Sequence, residues 1–146
     1  MKILEQLRSR GQASNLQAVA DAIPYARFLG LRIDSKGDEL TTVLPFREDL
    51  IGNTDLPAIH GGVLGSLLEL TAVMQLLRDS ELERLPKTID LSIDYLRSGL
   101  PQDIYGRADV TRQGRRVANV RVELWQQRRD KPIAAAHGHF LLTPLG

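Results

Sequence analysis

Within residues 61–77 every side chain but one is uncharged, and the exception is Glu69. Around it Val63, Leu64, Leu67, Leu68, Leu70, Val73, Met74, Leu76 and Leu77 fall on most of the circumference of a helix. That pattern predicts an enclosed helix, not one docked on a surface. A carboxylate there is costly unless it is paired or used, and removal from water would raise its pKa. Two readings follow: a structural glutamate held by backbone or arginine, or a general base or nucleophile beside a crevice. Gly65, Ser66 and Ala72, one turn away, are small and leave space beside the carboxylate. Just upstream, His60-Gly61-Gly62 opens the helix. First-turn N–H groups lack intrahelical acceptors, and glycine lets a ligand oxygen approach them, which is how an oxyanion hole is built. Two glycines at a helix start are equally ordinary loop chemistry.

The spacing adds a requirement. Gly61 and Glu69 are eight residues apart, about 12 Å along a helix, too far for both to address one carbonyl carbon within a single chain. If both act, a second copy of the helix must run antiparallel beside the first, as in a two-fold homodimer.

The elements that must position these residues are legible in outline. Residues 1–23 read as two helical pieces broken at 11–15, with Ser14 or Asn15 as cap and Pro24 as the stop. Residues 28–46 read as a strand-like hairpin turning at Lys36-Gly37-Asp38, and residues 47–59 as an irregular loop that delivers the chain to His60. After the helix over 61–78 comes a charged connection, then strands over 88–96, 104–111, 117–126 and 133–143. Strict alternation in the first of these puts Ile89, Leu91, Ile93 and Tyr95 on one face and Thr88, Asp90, Ser92 and Asp94 on the other. The order α-β-β-α-β-β-β-β gives an α+β fold with a mostly antiparallel sheet and one long helix, because no helices separate the last four strands.

Composition removes several classes of function. At 146 residues and 42% hydrophobic, the chain is read as one domain, 1–146, with residues 1–24 as an N-terminal helical extension. Nineteen basic against eighteen acidic residues offer no general attraction to nucleic acid or a membrane surface. Absence of cysteine excludes disulfides, thiolate metal sites and a cysteine nucleophile. Charges at positions 2, 5 and 8 argue against a secretory signal, and the longest apolar run is too short to span a bilayer, so a cytoplasmic protein is expected. His137 and His139 share a strand face, but no third ligand follows at a telling spacing, so no metal site is expected. Ser66 lies inside the helix and not on a Gly-x-Ser-x-Gly elbow, which argues against a serine hydrolase.

Asn53, His60-Gly61-Gly62, Glu69, the segment Thr88-Ile89-Asp90-Leu91-Ser92-Ile93-Asp94-Tyr95-Leu96-Arg97 and the strand Ala134-Ala135-Ala136-His137-Gly138-His139-Phe140 occur together and in order. In this the chain resembles the hotdog-fold thioesterase superfamily, especially its 4-hydroxybenzoyl-CoA and phenylacetate-pathway (PaaI-like) branch, over residues 25–143. The resemblance implies an antiparallel sheet wrapped around a central helix and hydrolysis of an acyl-CoA thioester to free acid and CoA, with no metal or organic cofactor. It implies that the Gly61 amide polarises the thioester carbonyl, that His60 and Asn53 position substrate or water, and that Glu69 of the partner chain attacks the carbonyl or activates water. Thr88 falls where relatives place a Ser or Thr near that water, and Gly62 and Ser66 join the substrate-binding set. Many relatives have Asp at the position of Glu69, and the loop over 54–59 shifts Asn53 from the usual pattern. Arg112, Arg115 and Arg116 are candidates for the CoA phosphates, or else a solvated turn. The assembly expected is a homodimer or a dimer-of-dimers homotetramer. A hotdog hydratase or dehydratase using His60, and a non-catalytic acyl-CoA binding protein, are the alternatives.

Overall fold

The computed structural model describes residues 3–146, so Met1 and Lys2 of the expected first helix lie outside the described residues. The N-terminal segment forms α1 (Ile3–Ser9) and α2 (Leu16–Ala22). The Asn15 side chain caps α2 by accepting from the Ala18 N–H at 3.1 Å. The second helical piece ends just before Pro24, as expected, but the helical region continues. Pro24 stands at the first position of a further helix, α3 (Pro24–Leu29), where a missing N–H costs nothing. Gly30, with φ 79°, closes α3 in the left-handed conformation. The strand expected from residue 29 is correspondingly shortened to β1 (Arg32–Asp34), which pairs antiparallel with β2 (Thr41–Leu44) across the predicted turn.

Residues 47–59 contain more order than their composition suggests: a 3₁₀ turn (Glu48–Leu50) and a small hairpin of β3 (Ile51–Asn53) and β4 (Ala58–Ile59). The long helix α4 (Gly61–Asp79) follows, then β5 (Lys87–Tyr95), β6 (Ile104–Gln113), β7 (Val117–Trp125) and β8 (Ala134–Leu141). Six strands form one antiparallel sheet in the order β1-β2-β6-β7-β8-β5, and α4 packs across it, most heavily on β6 and β7. The predicted α+β architecture is the one observed. Alternation drives the assembly: along β7 Ala118, Val120, Val122 and Leu124 are buried while their neighbours are not. They meet Leu64, Leu67, Leu68 and Met74 of α4 in one apolar core. The buried Thr42 and Thr71 hydroxyls satisfy each other at 2.7 Å where helix and sheet cross. No helix among the described residues is long and apolar enough to cross a membrane.

Two expectations need correction. The helix α4 is not enclosed by its own chain: Gly62 and Glu69 are exposed and Ser66 is half-buried, and these three, spaced four and three residues apart, form an open stripe. An all-round apolar sequence reports that a face will be covered, not which chain covers it. Nor does β5 alternate strictly. Its pairing with β8 shifts between Thr88↔Phe140 and Asp90↔His139, so Ile89 is the extra residue of a β-bulge and the phase of the strand reverses there. Thr88 therefore turns towards α4, on the same side as Leu91 and Ile93, while Ile89 is 54% exposed.

Candidate active site

The chain reaches α4 through His60, whose N–H donates to the Leu50 carbonyl at 2.9 Å and whose Cα sits against Gly52 of β3. A Cβ at Gly52 would lie 2.7 Å from that Cα, so only glycine admits the approach. His60 is the N-cap of α4, and its Nδ1 accepts from the Gly62 N–H at 2.8 Å. With Nδ1 accepting, the proton of the neutral ring sits on the exposed Nε2. The first turn is thus less open than expected: Gly62 donates to His60 Nδ1 and Val63 to the His60 carbonyl. Among the described residues the Gly61 N–H alone of these three donates to no protein acceptor. It is the one donor of the turn available to a ligand oxygen.

Two turns further on, Glu69 projects from the open stripe, and the Thr88 hydroxyl donates to its Oε2 at 3.0 Å. The bulge in β5 makes this contact; a regular strand would have turned Thr88 away. Glu69 is exposed, and no arginine or lysine pairs with its carboxylate among the described residues. The space predicted beside Gly65 is filled: a Cβ there would meet Ile93 Cδ1 at 3.3 Å. Ser66 spends its hydroxyl on the Gly62 carbonyl at 2.8 Å. One residue that sequence reasoning left without a role is Tyr95, whose hydroxyl donates to the Gly61 carbonyl at 3.0 Å. The signal for it was the pair of glycines four apart, Gly61 and Gly65, a flat strip that a ring can cover.

The remaining predicted residues stand at different distances from this centre. Asn53 Oδ1 accepts from the Asp55 and Leu56 N–H groups at 3.0 and 3.3 Å, so its carbonyl shapes its own loop and only its amide NH₂ is left to face a ligand. Arg112, Arg115 and Arg116 are exposed at the β6–β7 end of the sheet. Val117, Leu141 and Lys87 stand in one row across β7, β8 and β5, which brings that turn to the strand end carrying Thr88, about 10 Å across two strand spacings. A cavity of about 680 Å³ lies at the other end of α4 among Leu4, Leu16, Leu77 and Leu82 and touches none of the predicted site residues. No cluster of three or more potential metal ligands occurs among the described residues.

One face of α4 thus carries a helix-start amide without a protein acceptor and, two turns on, a carboxylate that accepts from a hydroxyl of the edge strand. Residues 56–133 match the thioesterase superfamily. The chain belongs to that superfamily. Membership makes it a thioester hydrolase, and its fold is the hotdog fold expected from the sequence. The medium/long-chain acyl-CoA thioesterase YigI of Escherichia coli K12 is 32% identical over 117 residues, covering 70% of this chain and 75% of the relative. A Chromobacterium violaceum protein of known structure is 38% identical with a TM-score of 0.74 and 98% of each chain covered. A Bacillus halodurans protein, solved with CoA, shares the fold at 18% identity, a TM-score of 0.75 and coverage of 97% and 94%.

Proposed function

We propose that this thioesterase hydrolyses medium- to long-chain acyl-CoA in the cytoplasm as a homodimer or dimer of dimers, with Glu69 of one protomer and the Gly61 amide of its partner at each site. The observation that carries the reading is the open stripe of α4, which bears the Glu69 carboxylate, in no ion pair among the described residues, and runs back to the Gly61 N–H, without a protein acceptor among them, about 12 Å away. The naming of YigI supports the substrate class. The assembly is supported by the free edge of β5, a nine-residue strand beside this stripe, with Ile89, Tyr95 and Leu96 half-exposed. Antiparallel pairing of two such edges about a two-fold axis would set the two α4 stripes face to face. The whole chain serves as one domain in this reading, the N-terminal helices being an extension of it.

As a base, Glu69 takes a proton from water, whose oxygen adds to the thioester carbon. The resulting oxyanion is held by the Gly61 N–H. Collapse breaks the C–S bond, and the thiolate of CoA recovers the proton from Glu69. As a nucleophile, Glu69 instead adds to the carbonyl and expels CoA as its thiolate, leaving an acyl anhydride that water cleaves to the free acid and the regenerated carboxylate. Thr88 aligns the carboxylate in either route. His60 Nε2, the Asn53 amide, Gly62 and Ser66 border the thioester, and Arg112, Arg115 and Arg116 meet the phosphates of CoA. Neither route needs a metal or organic cofactor.

The test is thiol release over a panel of saturated acyl-CoAs of increasing length, with enoyl-CoA as a second arm, for the wild type and Glu69→Ala. Release from the longer thioesters that disappears in Glu69→Ala is expected. Hydration of enoyl-CoA without thiol release, tight acyl-CoA binding without turnover, or near-normal turnover in the variant would each overturn the reading.

A further inference from the structure

The Gly61–Gly62 peptide is gripped at both ends by side chains from different elements. Its N–H donates to Nδ1 of His60, the cap of α4, at 2.8 Å. Its C=O accepts from the hydroxyl of Tyr95, the last residue of β5, at 3.0 Å. A peptide flanked by two glycines is the least restrained in the backbone, because both neighbours have wide φ/ψ freedom. It is also the unit next to the His60–Gly61 peptide, whose N–H is the free donor of the turn.

The ring of Tyr95 reinforces the grip. A Cβ on Gly61 would lie 3.4 Å from ring atom Cε1, and one on Gly65 would lie 3.6 Å from the hydroxyl oxygen, so the ring rests on the strip left by the two missing side chains. Tyr95 is 56% exposed, so water could have satisfied its hydroxyl; no burial forces the bond to Gly61. The same strand thus reaches both groups on this chain's α4, Thr88 at Glu69 and Tyr95 at Gly61.

We propose that Tyr95 is a positioning residue for the hydrolysis, clamping the Gly61–Gly62 peptide together with His60 so that the Gly61 N–H is aimed before the substrate carbonyl becomes an oxyanion. The inference rests on the reading of Gly61 as the oxyanion donor. A donor fixed in advance needs no reorganisation as charge develops, so its loss acts on the chemical step more than on ground-state binding.

The experiment is steady-state kinetics on Tyr95→Phe, which keeps the ring and removes the hydroxyl, alongside Glu69→Ala. The expected result is a kcat lower by about tenfold, the size of one hydrogen bond lost in the transition state, with KM, melting temperature and sedimentation unchanged. The other end of the peptide gives an independent readout. His60→Asn keeps a capping acceptor for the Gly62 N–H and should retain more kcat than His60→Ala. An unchanged kcat in Tyr95→Phe, a loss confined to KM, or equal kcat in His60→Asn and His60→Ala overturns the clamp while a dead Glu69→Ala leaves the hydrolytic reading standing. An active Glu69→Ala would instead remove the reading on which the clamp rests.

Discussion

The two halves of α4 differ in how far the chain covers them. In the C-terminal half Ala72, Met74 and Leu76 are fully buried, and the protein's own N-terminal segment helps to cover that half: Leu4, Leu7, Val19 and Ala20 are buried with them in the same core. Arg78 fastens this end by donating to the Asp38 and Gly37 carbonyls. In the N-terminal half Leu64, Leu67 and Leu68 are buried against the sheet and Tyr95 and Ile93 of β5 lie over Gly61 and Gly65, but Gly62 and Glu69 are left open. In the proposed mechanism the difference separates stability from chemistry along one helix. Where the chain completes its own packing, a side chain matters through the volume it fills. Where it stops short, small residues, a carboxylate and a free amide are held ready for something else.

Substitutions should divide along the same line. The largest effect is expected from Glu69→Ala, about a thousandfold or ~4 kcal/mol in the barrier with the melting temperature unchanged, read from thiol release and a thermal melt. Leu76→Ala should behave inversely, losing about 3 kcal/mol of stability in a denaturant titration while kcat below the melting transition stays near wild type. A Leu76 variant whose kcat collapses while it remains folded would dissolve the distinction between the halves. Thr88→Val keeps the shape and removes the donor to Glu69, so about a five- to tenfold loss of kcat is expected with little change in stability.

The smallest effect lies on the outer face of the sheet, away from α4. There Asp90 Oδ1 meets His139 Nδ1 at 2.8 Å, and this side-chain hydrogen bond holds the Asp90 carboxyl below its ordinary value of 3.8. Because the folded state favours the ionised form, the pair adds stability above the ordinary carboxylate range, and that increment is lost as pH falls through the lowered value. Asp90→Asn should make the melting temperature slightly less sensitive to acid between about pH 5 and pH 2, with kcat at neutral pH unaffected. A steeper acid dependence in the variant would contradict the assignment.

Much of this division was legible in the residues. The apolar period of residues 61–78 located α4 to within one residue of its observed end, and the four C-terminal strands stood out by alternation and by turn residues between them. Other features failed for identifiable reasons. Pro24 both follows the end of α2 and starts α3, and the six residues of α3 are too few to show a helical period that would have announced it. The bulge at Ile89 is invisible to a count of alternating residues. Period alone placed Thr88 on the outer face, and only the family resemblance kept it among the site residues. The exposure of Glu69 was missed because hydrophobicity along one chain cannot say whether a second chain provides the cover. Tyr95 was read as one more member of a strand face, since a hydrogen bond to a backbone carbonyl thirty-four positions away leaves no local pattern.

The distance between Gly61 and Glu69 along their shared helix has a kinetic consequence. If each chain carries two half-sites and no whole one, turnover per molecule obeys mass action, falling on dilution as assemblies separate even though every protomer stays folded. The abundance of the protein would then set not only how much enzyme is present but what fraction of it can work.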